Sequence, residues 1–84
     1  MFSVSPASFA VAREKPNSFQ DGFVLARERG FCKVMLLDGG VVKLRIFEAP
    51  VDETCFPIGS PVAYHREARV LAGFDLWLSV SELP

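Results

Sequence analysis

The stretch KVMLLDGGVVKLRI, residues 33–46, decides the fold. Asp38-Gly39-Gly40 separates two runs rich in Val, Leu and Met, which is a hairpin signal. Taken as a three-residue loop, Asp38 and Gly39 form a type I turn and Gly40 takes the left-handed position of a G1 bulge. Leu37 then pairs with Val41, Leu36 with Val42, Met35 with Lys43, Val34 with Leu44, Lys33 with Arg45, Cys32 with Ile46 and Phe31 with Phe47. A two-residue loop would set apolar residues against cationic ones across the strands. Side chains alternate between the faces of a strand. One face of this hairpin is therefore Cys32, Val34, Leu36, Val42, Leu44 and Ile46, all apolar. The other is Phe31, Lys33, Met35, Lys43, Arg45 and Phe47, basic and aromatic. Like charges directly opposite are unfavourable by a few tenths of a kcal/mol to about one. That is tolerable on a solvated outer face, and useful where an anion sits between them.

Outside the hairpin the punctuation is also β-like. Residues 2–9 read as a first strand interrupted at Pro6, an edge or a bulge, and residues 9–13 continue extended. Residues 14–22, EKPNSFQDG, are a turn-rich loop. Residues 23–27 form a strand, and RERG bends the chain before Phe31. Residues 49–61 are a long connection with three prolines, holding one short helical turn at residues 51–54. Residues 62–71 and 74–80 make a final hairpin around Ala72-Gly73, with Phe74, Leu76, Leu78 and Val80 on one face and Asp75, Trp77 and Ser79 on the other. Short antiparallel strands without a substantial helix predict an all-β fold: a small five-stranded antiparallel barrel, OB-like or SH3-like.

The 84 residues make a single domain, residues 1–84, without linker, repeat or low-complexity tract. A domain of this size buries only about 60–65% of the surface its unfolded chain exposes. Half of the residues are hydrophobic, including eight Phe, one Trp and one Tyr. That is more apolar surface than one small β-core hides, and it predicts a homodimer. The formal net charge of −1 argues against a generic polyanion binder and leaves room for a local basic face. Two cysteines, Cys32 and Cys55, make no disulfide framework. MFSVSPASF lacks the basic start and apolar run of a signal peptide, and no stretch approaches the ~20 apolar residues of a membrane span. A reducing, cytosolic setting is expected, with both cysteines as buried hydrophobes.

Enzymatic constellations are missing. His65 is the single histidine, and no carboxylate lies at a suggestive spacing from it. With Cys32 and Cys55 it matches no zinc spacing. Gly39-Gly40 is a turn and not a phosphate cradle opening a helix. Neither catalysis, metal nor cofactor is expected.

Two stretches carry a family resemblance. In KPNSFQDGF, residues 15–23, the residues Pro16, Ser18, Phe19, Gln20, Asp21, Gly22 and Phe23 follow a family pattern, with Asn17 where that family usually has Tyr. In VVKLRIFEAPVDETCFPIGSPVAY, Arg45, Ile46, Pro57, Gly59 and Val62 follow it again. The chain resembles the single-stranded-DNA-binding proteins of filamentous bacteriophages (inoviruses), the gene V protein type. Basic residues which that family carries near the C-terminus are replaced by Ser79 and Ser81. The resemblance implies a dimeric OB-fold protein with protruding hairpins that coats single-stranded phage DNA, cooperatively and without sequence preference, during replication and packaging in the bacterial host cytoplasm. RNA is a further possible strand. It also implies that Phe74 lies near the dimer axis, and the apolar excess of the final hairpin adds Leu76 and Trp77 to the expected dimer interface.

On this reading Lys33, Lys43 and Arg45 hold phosphates while Phe31 and Phe47 offer stacking faces, worth about 1–3 kcal/mol per stacked base. Arg13, Lys15, Arg27 and Arg29 extend the track, and Phe19 is a further candidate platform. Bland counterparts stand beside these: solvent exposure for Arg27 and Arg29, and core packing for Phe19 and, more so, for Phe23. The competing class is a small β-barrel protein–protein adaptor or phage accessory protein whose exposed aromatics form an interface and whose charges are rim.

Overall fold

In the computed structural model, which describes residues 2–47, 56–74 and 76–84, the chain closes into a β-barrel. The elements run β1 (Phe2–Ser3), α1 (Pro6–Glu14), a 3-10 turn (Pro16–Ser18), β2 (Gln20–Glu28), β3 (Phe31–Leu36), β4 (Val41–Ile46), β5 (Pro61–His65), β6 (Val70–Ala72) and β7 (Trp77–Glu82). Pairing passes from β2 through β3, β4, β7, β6 and β5 back to β2, all antiparallel, while β1 adds to β7 in parallel. Six strands close the ring where five were expected. The extra strand comes from residues 62–71, expected as one strand, which fold back so that Ala63 pairs with Ala72, Tyr64 with Leu71 and His65 with Val70. The fully buried His65 holds this turn, because the Ala68 N–H donates to its Nδ1 at 3.0 Å. β3 has β2 and β4 on its two edges, and β4 has β3 on one edge and, from Leu44 to Ile46, β7 on the other.

The hairpin of residues 33–46 forms with the expected turn type and a corrected register. The Gly39 N–H donates to the Leu36 carbonyl at 2.9 Å, and the Leu36 N–H to the Gly40 carbonyl at 2.7 Å. The loop is thus Leu37-Asp38-Gly39, one residue earlier than expected. Gly39, with φ +98°, occupies the left-handed position. Asp38 explains the choice, since its carboxylate accepts the Gly40 N–H at 2.8 Å and fixes the turn one step upstream. Lys33 consequently faces Lys43, Phe31 faces Arg45, and Val34 faces Val42. A slip of two keeps every side chain on its expected face. Cys32, Val34, Leu36, Leu44 and Ile46 are buried, and Lys33, Lys43, Arg45 and Phe47 are exposed. Ala at position 39 must adopt a left-handed φ, a cost of roughly 1–2 kcal/mol. At position 40 an added Cβ meets side-chain atoms alone, the Asp38 carboxylate at 3.2 Å and Leu36 Cδ1 at 3.9 Å. Denaturant melts should therefore show Gly39→Ala losing clearly more stability than Gly40→Ala.

Residues 6–14, expected to be extended, are the helix α1. Ser5 caps it, its hydroxyl accepting the Ser8 N–H at 3.1 Å, and Pro6 occupies the first turn. Nine residues make a marginal helix on their own, so packing must hold it. Ala12 and Val11 sit with Val70, Ala68, Phe19 and Trp77 in a cluster on the outside of the barrel wall. The barrel interior is a separate cluster that includes Val34, Leu44, Tyr64, Leu71, Leu78 and Val80. Leu71 and Val70 are neighbours on β6 and enter opposite clusters. Val70 of β6 and Trp77 of β7 thereby pack outward against α1 while Leu71, Leu78 and Val80 pack inward, whereas β2 to β4 bury only their inner face. The expected helical turn at residues 51–54 lies outside the described residues, as does Cys55. Among the described residues, no helix is long and apolar enough to cross a membrane.

Candidate nucleic-acid interface

The uncovered half of the wall gathers the basic and aromatic residues. Rows across the strands follow from the register. Glu28, Phe31, Arg45 and Ser81 form one row, and Ala26, Lys33 and Lys43 the next. Phe23, Met35 and Val41 form a third, bordered by Pro61. Lys43 Nζ lies over the Phe31 ring, 5.8 Å from its centroid, and the Arg45 guanidinium over Phe47 at 5.7 Å. Cations over ring faces hold the rings in place and are held by them. Among the described residues, no ion pair neutralises Lys33, Lys43 or Arg45. A shallow recess of about 70 Å3 between Glu28, Phe31, Lys33 and Lys43 gives this face some relief.

Other sequence candidates fall elsewhere. Arg13, over the Phe9 ring at 5.7 Å, belongs to α1, whose packing is against the β5–β7 half. Lys15, just past α1, pairs with Glu67 at 2.9 Å. Phe19 packs edge-on against His65 at 4.9 Å and against Trp77 at 5.4 Å, so core packing accounts for it. Arg27 turns toward the inner face. A bulge between Val24 and Ala26 shifts the alternation by one, so that Arg27 lies opposite Cys32 and its Nη1 donates to the Phe31 carbonyl at 2.9 Å. Burial pushes the Cys32 thiol up to about 11, with the Arg27 guanidinium pulling the other way. Arg29 sits exposed in the β2–β3 turn, beside the Phe31 row.

Two expectations about aromatics reverse. Phe23, expected in the core, is 38% exposed on the outer face, while Trp77, expected at the dimer interface, packs tilted against Phe9 of α1 at 5.3 Å. Phe74 is fully exposed, and Leu76 packs against the barrel interior. The outer rows also contain Phe23, Ala26, Val41 and Ser81, which sequence reasoning did not assign to this face. Alternation with Lys43 and Arg45 already places Val41 there, whereas Phe23, Ala26 and Ser81 arrive only through strand pairing.

His65 is a satisfied structural residue. Its Nδ1 accepts from Ala68, so its Nε2–H donates to the Lys15 carbonyl at 3.0 Å, tying the end of α1 to β5. No group of three or more potential metal ligands clusters among the described residues. At the end of the barrel the Tyr64 hydroxyl donates to Glu82 Oε1 at 2.7 Å, and Arg66 Nε donates to the same oxygen. The hydrogen bonds from Arg66 and then Tyr64 hold the Glu82 carboxyl below its ordinary value. Burial, followed by the bond to Glu82, holds the Tyr64 hydroxyl above its own. The Glu82 contribution is present above its ordinary 4.5 and fades as the pH falls through the lowered value. The Tyr64 contribution is present below its ordinary 10.0 and fades as the pH rises beyond it. Thermal midpoints should hold between these limits as far as this pair is concerned, and Glu82→Gln should flatten the acid limb.

No family model, curated protein or solved structure matches this chain.

Proposed function

We propose that this protein binds single-stranded DNA, or RNA, without sequence preference, using the outer face of β2, β3 and β4 as an OB-like platform. One observation carries the reading. Three cations without ion-pair partners among the described residues stand beside two aromatic rings, on the half of the barrel that α1 does not cover. Sequence-neutral single-strand binding requires that combination: charge to follow the phosphates and π-faces to receive bases. The pairing of Lys33 with Lys43 supports it further, since like charges set opposite each other cost stability unless an anion separates them. By its resemblance to the filamentous-phage proteins, the chain acts as a cytoplasmic homodimer that coats phage single strands cooperatively. The test is a fluorescence titration with poly(dT) at several salt concentrations. Affinity should fall steeply with salt, as phosphate counterions are released.

A protein adaptor is the second reading, favoured by the exposed Phe23, Leu37, Val41 and Ile58. An apolar protein interface would be nearly indifferent to salt. Both readings accommodate a dimer, for which the fully exposed Phe74 is the anchor. Sedimentation equilibrium at micromolar concentration should show a dimer that Phe74→Asp dissociates, and a wild-type monomer would remove the dimer from both.

A further inference from the structure

The β5–β6 turn, residues 66–69, places an arginine where the backbone suits glycine or asparagine. Arg69 has φ +58°, in the left-handed region. The sequence pattern of the basic hairpin does not involve this residue, and it lies 24 positions beyond Arg45 along the chain. The fold nonetheless brings the two close together. Arg45 stands directly across from Ser81 on one edge of β7. On the other edge, the Val80 N–H donates to the Arg69 carbonyl at 3.0 Å. The backbones of Arg45 and Arg69 are therefore about two strand widths apart, roughly 10 Å, flanking β7 at the adjacent residues Ser81 and Val80. An open, largely polar recess of about 310 Å3 lies here, lined by Tyr64, Arg66, Arg69, Ser81 and Glu82. Glu82 already engages Arg66 and Tyr64. Arg69 is exposed and makes no ion pair with a described carboxylate.

We infer that the phosphate track does not stop at Arg45 but crosses Ser81 to Arg69, so that the β5–β6 turn holds a backbone phosphate of the bound strand. The inference rests on the nucleic-acid reading and extends its site from the outer face of β2 to β4 to the rim of the barrel. Three features converge on it. The Arg69 cation is not neutralised by a described carboxylate. The recess is polar and open, with a hydroxyl as a second donor. One of its lining residues, Ser81, also pairs directly with Arg45 of β4. An arginine in a left-handed turn position is a local cost that a ligand contact would offset.

The backbone supplies a discriminating variant. Arg69→Gly relieves the strained φ and removes the cation, so stability and binding should move in opposite directions. Titration of oligo(dT) at several salt concentrations, beside a thermal melt, reads both. A lost phosphate contact on a single strand lowers the salt slope by about 0.7 and the affinity about fivefold at 0.1 M salt. Arg69→Gly should show those losses with an unchanged or raised melting midpoint, and Arg69→Lys should keep most of the slope. If wild type binds with a steep salt dependence and Arg69→Gly leaves the slope intact, the track ends at Arg45 and only this inference falls. If wild type shows no salt-dependent binding of oligo(dT), the nucleic-acid reading and this inference fall together.

Discussion

Gly22→Ala should destabilise the domain by about 3 kcal/mol or more, a large effect for one methyl group. Gly22 is buried in β2, between Leu36 of β3 and Val62 of β5. A Cβ built there would stand 2.3 Å from the Met35 carbonyl oxygen and 3.1 Å from the Leu36 Cα. Both are backbone atoms, so no side chain can swing away. β3 cannot recede either, because β4 pairs with its other edge. A domain of 84 residues has a total stability of only about 4–13 kcal/mol. Each kcal/mol shifts the midpoint of such a domain by roughly 4–8 °C, so a thermal melt should show a drop of ten degrees or more. A shift of only two or three degrees would mean that β2 and β3 do not approach so closely.

Lys43→Ala/Arg45→Ala should remove most binding while leaving the fold. Each lost contact lowers the logarithmic salt slope by about 0.7, so two lower the affinity roughly 25-fold at 0.1 M salt. Both side chains are exposed, on the face opposite Leu44 and Ile46, so the core is untouched. Leu44→Ala is the contrast: Leu44 is fully buried, and its truncation should cost about 2–5 kcal/mol through the cavity it leaves. Unchanged poly(dT) affinity and slope in the double variant would make the basic face a solvated surface and put the adaptor reading first.

The faces of β3 and β4 were legible in the sequence because side-chain alternation is a property of a few consecutive residues. Register was less so. Asp38-Gly39-Gly40 offers two glycines to the same turn type, and the choice rests on an Asp38 side-chain bond that composition does not reveal. Helix α1 was missed because Phe2, Val4 and Phe9 suggest a strand edge, although Ser5-Pro6 is a cap-and-first-turn pair. The outer-face cluster was legible where it is local, at Phe31, Lys33, Lys43, Arg45 and Phe47. It was not legible at Arg27, which one bulge turned inward, nor at Ser81 and Arg69, which only barrel closure brings beside Arg45.

The division of the barrel wall also separates two kinds of selection. Where α1 packs over β6 and the start of β7 both faces are covered, so nearly every substitution there is tested first for folding. On β3 and β4 each second residue is free of the core, and changes at those positions should add independently of changes inside. The outer face can then drift in charge and aromatic content while the scaffold that carries it stays the same.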